Sequence, residues 1–267
     1  MPSALSPQPS FRVTVLGSGT SQGVPAIGCD CAVCRSPDPR DRRTRPSIAI
    51  EVNGSSILVD TSTDLRMQAL ANDLRRVDAI LFTHNHADHV FGLDDVRRYN
   101  QMQKAAISCY ADADTVASLR RMFSYVFEPP TQQGGGLPQL ALFTIAGPFC
   151  LAGVEIVPVP VLHGRLPVLG FRIGSFAYLT DCNRIPDESW PLLTADGGVR
   201  TIILDALRHR PHSTHFSVSE AVAVVARLGA ERAYLTHISH DLPHAATCAQ
   251  LPPGVELAYD GLVIEVA

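Results

Sequence analysis

The sequence has almost no lysine: of 22 basic residues Lys104 is the single Lys, and the rest are Arg. It also lacks a positive surplus, because 26 Asp and Glu leave a net charge of −4. That balance argues against a protein whose main task is gripping nucleic acid or an anionic membrane surface. No stretch reaches the ~18 uninterrupted apolar residues of a membrane span. MPSALSPQPS has no basic region ahead of an apolar run, so residues 1–10 read as a short frayed tail and not a secretory signal. Repeats with a period of 20–50 residues are missing too, which excludes a solenoid. These absences point to a soluble, cytoplasmic protein with no membrane partner.

What remains is one large core and an unusual supply of ligand atoms. In 267 residues, 46% hydrophobic content suffices to bury a core without disulfide staples. The chain carries 10 His and 7 Cys. Cys29, Cys31 and Cys34 stand together, a spacing that favours a metal site over a disulfide framework. Cys109, Cys150, Cys182 and Cys248 are isolated and read as ordinary thiols kept reduced in a cytosol.

Short strands dominate, with helices between some of them. Phe11–Leu16 is β-rich and ends in the turn-forming Gly17–Gly23. Residues 24–45 show no period and read as an ordered loop. Ser47–Val52 and Ser56–Val59 flank Asn53-Gly54, a hairpin signal. A helix is expected over Asp64–Leu74 and a buried strand over Asp78–Phe82. Residues 97–150 are the least readable, with a helix at Ala113–Tyr125 and a Pro/Gly-rich loop at Glu128–Gln139. Strands resume at Val154–Val159, Gly170–Ile173, Ala177–Leu179, Thr201–Leu204 and Arg232–Leu235, with an amphipathic helix at Val218–Leu228. One mixed α/β domain over 1–267 fits this order better than two.

The densest chemistry is His84-Asn85-His86-Ala87-Asp88-His89, directly after a buried strand. Imidazole and carboxylate suit divalent ions such as Zn²⁺ and Mn²⁺. Residues 84 and 86 can point one way at a strand end while 88 and 89 turn to a second position, which suggests two adjacent metals. A solvated His-rich loop is the competing reading, and the buried strand and the internal Asp count against it.

HNHADH matches the HxHxDH signature, so the chain resembles the metallo-β-lactamase superfamily. That resemblance implies a four-layer αβ/βα sandwich of two mixed sheets flanked by helices, with the site at one edge. The family's later site residues also have counterparts in order: Asp60 after SILV, His163 after PVPVL, Asp181 after YLT and His237 after AYLT. The resemblance implies that His84, His86 and His163 hold one metal, that Asp88, His89 and His237 hold the other, and that Asp181 bridges them. Asp60 would orient ligands, and is counted with Asp88 and His215 in the catalytic machinery.

Three thiolates in Gly28–Cys34 are one short of a tetrahedral Zn²⁺ set, and His240 is the candidate fourth ligand. A redox-active or fortuitous Cys-rich loop is the alternative. Here the resemblance narrows to a subgroup, the accessory phosphodiesterases of carbon–phosphorus lyase pathways. Gly17-Ser18-Gly19-Thr20-Ser21-Gln22-Gly23-Val24-Pro25, the Cys triplet and Thr236–His240 (THISH) are similar to that subgroup's GxGxxQGVP, CxCxxC and THISH. It implies a structural zinc on Cys29, Cys31, Cys34 and His240, which would pin the 24–45 loop to the loop that carries His237. Proteins of the subgroup are often homodimers, and 97–150 would then be a lid, a dimer surface or both.

Two metals about 3.5–4 Å apart can share a hydroxide that attacks a phosphodiester in line. His215, 22 residues before His237 as in the similar phosphodiesterases, is the candidate for protonating the leaving oxygen. A surface histidine in a run with His209 and His212 is the plain alternative. Arg165, Arg184, Arg208 and Arg210 flank site loops without singling themselves out as phosphate clamps. The expected activity is dinuclear metal-dependent hydrolysis of a small or cyclic phosphodiester. Three rivals stand beside it. A tRNA 3′-processing endonuclease carries a long Lys-rich arm where Glu128–Gln139 is short and without a basic residue. A thiolester or β-lactam hydrolase is compatible with the fold, but the CxCxxC loop and His215 fit it less well. A non-hydrolytic carrier or oxygenase-type protein of cofactor biosynthesis would not need every ligand to be present.

Overall fold

The structure is a computed structural model that describes residues 9–128 and 136–267. Most of the expected tail at 1–10 and the centre of the 128–139 loop lie outside the described residues. The first sheet takes β1 (Phe11–Gly17), β2 (Ser47–Val52), β3 (Ser55–Val59), β4 (Ala79–Leu81), β5 (Ile107–Ala111) and β6 (Leu140–Thr144). The second takes β7 (Phe149–Leu151), β8 (Val154–His163), β9 (Leu166–Ile173), β10 (Phe176–Leu179), β11 (Thr201–Asp205), β12 (Arg232–Thr236) and β13 (Val255–Leu257). β14 (Val263–Val266) returns to pair with β1, so the described residues form two seven-stranded mixed sheets.

Period-two alternation divides each strand's side chains between two cores. Ile57, Val59, Ala79 and Leu81 of β3 and β4 meet Phe171, Phe176 and Ile203 of the second sheet. Their neighbours Leu58 and Ile80 face outward with side chains of α1 (Leu65–Ala71), α2 (Ala87–Val90), α3 (Arg97–Gln103), α4 (Ala113–Met122) and α5 (Ser124–Phe127). On the far side Ala177, Leu179, Ile202 and Leu204 pack with α6 (Trp190–Thr194), α7 (Val218–Leu228) and α8 (His244–Cys248). This is the helix–sheet–sheet–helix sandwich of the expected fold class.

Local chemistry sets the element boundaries. Asn53 and Gly54 both take positive φ (50° and 76°), as a tight hairpin turn requires. α7 starts on a capping box, Ser217 with Glu220, and stops at Gly229 in the left-handed region. The helix expected over Asp64–Leu74 ends at Ala71, where Asn72 turns its side-chain amide back onto the Gln68 carbonyl. The helix expected over Ala113–Tyr125 breaks at Phe123, whose φ of −114° and ψ of 42° are not helical. β8 runs four residues beyond its expected end despite Pro158 and Pro160. β7 covers only Val154–Ile156, so two prolines spaced by two can direct their missing N–H groups to the open edge.

β3 pairs with β4 in parallel, and β10, β11, β12 and β13 are parallel in turn, so their C-terminal ends gather at shared edges. Three residues within two positions of such ends, Asp60, Asp181 and His237, have φ of 65°, 51° and 59°. Left-handed backbone is uncommon for non-glycine residues, although Asp and His adopt it more readily than most, and it collects at functional sites. No described helix is long and apolar enough to cross a membrane.

The loop that carries His237 is clamped to the N-terminal segment. Gly19 bridges Ile238, and the fully buried Arg43 donates to the carbonyls of Ser239 (2.9 Å) and Leu242 (2.7 Å) and to Asp41 (2.9 Å). A Cβ on Gly19 would stand 2.8 Å from the Arg43 carbonyl, so only glycine lets the two segments close. Asp41 also accepts from the His244 amide at 2.8 Å. The His244 ring is buried, and its Nδ1 has no hydrogen-bond partner among the described residues. Burial, then Arg40 and Arg43, pushes it down to about 4. Its unfolded value is near 6.5, so the unfolded chain binds the extra proton between these values and stability falls as pH drops from about 6.5 to 4. Thermal unfolding of His244→Leu should therefore lose less on acidification across that window than the wild type. Parallel curves would show that His244 carries no such linkage.

Candidate metal centre

Each ligand candidate comes from a strand end or the turn after it, so the sheets aim the set before any side chain is chosen. β4 delivers His84 through Phe82 and Thr83, and α2 turns Asp88 and His89 back toward the same point. β8 ends on His163, while β10 and β12 lead into Asp181 and His237. Asp181 stands at the centre. Its Oδ1 lies 3.1 Å from His237 Nε2 and 3.3 Å from His89 Nε2, and its Oδ2 lies 3.7 Å from His84 Nε2. One oxygen thus faces each side. Asp88 Oδ2 is 3.3 Å from His89 Nε2 and 3.8 Å from His237 Nε2. The rings of His84, His86 and His163 lie with centroids 4.4–5.8 Å apart.

These atoms converge without bonding to one another. Nε2 of His84, His89 and His237 and Oδ2 of Asp88 are buried and make no hydrogen bond among the described residues. Buried polar atoms left in that state cost roughly 1–3 kcal/mol each unless something satisfies them. Two ligand atoms about 2.1 Å from a common cation stand about 3.0–3.4 Å apart, so the closest separations fit a shared ion. The opposite ring nitrogens are held from behind. His89 Nδ1 meets Asp60 at 2.7 Å, and Asp60 also accepts from the Thr83 amide and hydroxyl at 2.8 Å each. His163 donates from Nδ1 to the Thr214 carbonyl at 2.9 Å, which leaves Nε2 free as a ligand. Burial presses His84 and His163 below the usual imidazole range, toward the neutral form that binds metal. Burial also disfavours the Asp181 carboxylate, yet His237 and His89 beside it hold it well below its usual range. An anion so placed suits a cation between the rings.

Outside this cluster stands an imidazole–carboxylate pair. His215 is stacked on His237, with centroids 4.5 Å apart and planes 12° apart, and lies 4.7 Å from the ring of His163. Its Nδ1 is 2.8 Å from Oδ2 of Asp205, the last residue of β11. Sequence reasoning missed Asp205. The signal was present, because TIILD ends a buried strand on Asp as SILVD does at Asp60. The arginines are less suggestive. Arg165 and Arg184 are exposed, Arg210 pairs with Asp241 at 3.0 Å, and Arg208 braces the carbonyls of Arg210 and Pro211.

A second ligand group lies where the Cys-rich loop meets the loop after β12. The sulfurs of Cys29, Cys31 and Cys34 stand 3.1, 3.6 and 3.5 Å from His240 Nδ1. A tetrahedral Zn²⁺ with arms of about 2.3 Å to S and 2.0–2.1 Å to N sets that separation near 3.6 Å. The Cys34 amide donates to the Cys31 sulfur at 3.4 Å, and that bond holds the Cys31 thiol down at about 7. The residues of both clusters therefore fit metals in number, type and spacing.

Known proteins place the chain in a family. Residues 55–238 match the family described as the beta-lactamase superfamily domain. The crystal structure of a diphosphatase from the PhnP family superposes with a TM-score of 0.89 at 45% identity, covering 96% of this chain and 97% of that one. An octanoyltransferase of Porphyromonas gingivalis is 39% identical over 255 residues, 94% of this chain but 51% of that protein, so the chain spans about half of that relative's length. A coenzyme PQQ synthesis protein B of Rhodopseudomonas palustris is 28% identical over 94% of this chain and 98% of its own length.

Proposed function

Because this chain belongs to the metallo-β-lactamase superfamily and is a metal-dependent hydrolase, we propose that it is a dinuclear phosphodiesterase acting on a small or cyclic phosphodiester. His84, His86 and His163 would hold one ion, Asp88, His89 and His237 the other, with Asp181 between them. Two divalent ions, Zn²⁺ or Mn²⁺, would supply a hydroxide near neutral pH and positive charge for the phosphoryl oxygens. A structural zinc on Cys29, Cys31, Cys34 and His240 completes the set. The proposal places the enzyme in the cytosol, with Cys109, Cys150, Cys182 and Cys248 as free thiols. It assigns a homodimer contact or lid to 97–150, where Met102, Tyr125, Leu137 and Phe143 are exposed.

The observation that carries the reading is the His215–Asp205 pair. Asp205 accepts a hydrogen bond from Nδ1–H and stabilises the imidazolium, so Nε2 is the position from which His215 hands a proton to the leaving oxygen. Asp60, fully buried, orients His89 through Nδ1. Similarity to a diphosphatase favours a second reading, cleavage of a phosphoanhydride by the same groups. Octanoyl transfer is not carried over, since the match covers half of that relative and Cys182, beside Asp181, is fully buried with its thiol pushed up by burial.

The test is a panel of bis(p-nitrophenyl) phosphate, 2′,3′-cyclic nucleotides, a dinucleoside diphosphate and a pre-tRNA, each with Mn²⁺, Zn²⁺ or Ni²⁺. Turnover of the small diesters is expected. Preference for the diphosphate favours the second reading, and cleavage of pre-tRNA alone moves the assignment to a nuclease. His215→Ala should keep both ions and lose about 10³-fold in kcat, and Asp205→Asn about 10²-fold. Full activity of His215→Ala with both metals bound would remove its role.

A further inference from the structure

The loop after β11 carries another imidazole that this chemistry leaves unused. His212 stands three residues before His215, with ring centroids 5.2 Å apart. Thr214 serves both neighbours of the proton donor. Its carbonyl accepts from His163, while its amide and hydroxyl reach His212 Nδ1 at 3.3 and 3.1 Å. A backbone amide only donates, so His212 Nδ1 is the acceptor, and the neutral ring carries its proton on Nε2. That N–H has no hydrogen-bond partner among the described residues. The loop is braced on both sides: Asn183 donates to the Ser213 carbonyl at 2.9 Å, and Arg208 donates to the Arg210 and Pro211 carbonyls. His215 packs against His237 and His163, whereas among the described residues the one ring within packing distance of His212 is that of His215. A fixed neutral donor therefore sits one ring further out than the group that protonates the leaving oxygen.

We propose that His212 is a specificity-determining residue whose Nε2–H binds an oxygen of the leaving group beyond the leaving oxygen. It selects a sugar- or polyol-like leaving group over a simple aryl one. This rests on the phosphodiesterase reading, in which His215 marks the leaving-group side. No covalent or proton-transfer step is assigned to His212, which keeps its proton throughout.

The test compares the metal-loaded wild type with His212→Ala and His212→Gln, using 2′,3′-cyclic AMP and bis(p-nitrophenyl) phosphate. The loss of kcat/KM in His212→Ala should be about tenfold greater on the cyclic nucleotide than on the aryl diester, mostly in KM. Gln, whose amide nitrogen reaches the place of Nε2, should recover most of that difference. Equal losses on both substrates mark a merely structural role and overturn the proposal, as does no loss on either. Binding gives a readout independent of turnover. His212→Ala should weaken adenosine 3′-monophosphate about tenfold more than inorganic phosphate, and an equal effect on the two again overturns it. Wild type that binds adenosine 3′-monophosphate in this His212-dependent way but hydrolyses neither diester defeats the phosphodiesterase reading and leaves the His212 contact standing. Wild type that neither binds nor hydrolyses defeats both.

Discussion

Asp181→Ala is expected to lower kcat/KM by about 10⁴-fold or more and to bring the catalytic metal content down from two ions per chain. The magnitude follows from position. Asp181 is buried, its two oxygens face opposite ligand groups, and three histidine nitrogens lie 3.1–3.7 Å away. In the proposed dinuclear site removing it would cost both ions a ligand, and each ion is worth several kcal/mol of transition-state charge stabilisation at 1.36 kcal/mol per tenfold. The left-handed backbone at φ 51° helps separate charge from shape. Asn tolerates that conformation and Ala less well, so Asp181→Asn should fold like the wild type and still lose about 10²-fold or more. Metal analysis beside steady-state kinetics checks both variants. An Asp181→Ala protein that keeps two ions and most of its activity would show that the carboxylate does not join the two groups.

The second large effect falls on stability more than on rate. His240→Ala or Cys31→Ser should abolish the structural zinc and lower Tm by about 10 °C or more, given what such ions contribute to folding. Turnover should fall by about 10- to 100-fold, the usual range for groups that act through a metal ligand. The loss would be partial because the proposed zinc is one of three clamps on the loop after β12. Arg43 still holds the Ser239 and Leu242 carbonyls, and Ile238 still exchanges backbone bonds with Ser18 and Thr20. Differential scanning calorimetry and kcat/KM on the same preparations check the split. A large fall in rate with Tm unchanged would place His240 in the chemistry and not in the scaffold.

How much of this was legible in the sequence follows from how local each feature is. The fold class and the two ligand groups were readable, because HNHADH, the Cys triplet and THISH compress donor atoms into short windows. Asp60, Asp181 and His237 are recoverable because they stand, each after a buried strand, in the order that the family resemblance requires. Asp205 has the same signature and went unread, since no family motif drew attention to it. Arg43 and Asp41 look like solvated charges in an Arg-rich loop. What buries them is a pair of carbonyls 196 and 199 residues away, which no local pattern announces. The middle was obscure for a related reason. β6 is a short apolar run, Leu140–Phe143, which periodicity alone does not tell from a helix segment, and it lies part-exposed and not in the core. α4 stops at Phe123 without a Gly or Pro to mark the break. Thr214 joins His163 to His212 through one backbone carbonyl and one hydroxyl, a link visible only in three dimensions.

The central claim is that two ions act together on a phosphodiester. It is tested most directly by adding Mn²⁺ or Zn²⁺ in defined equivalents to chelator-treated protein that keeps its structural zinc, while following bis(p-nitrophenyl) phosphate turnover. The prediction is little activity after the first equivalent and a rise that saturates at the second. Saturation at one equivalent, or no diester turnover with both ions bound, would contradict it.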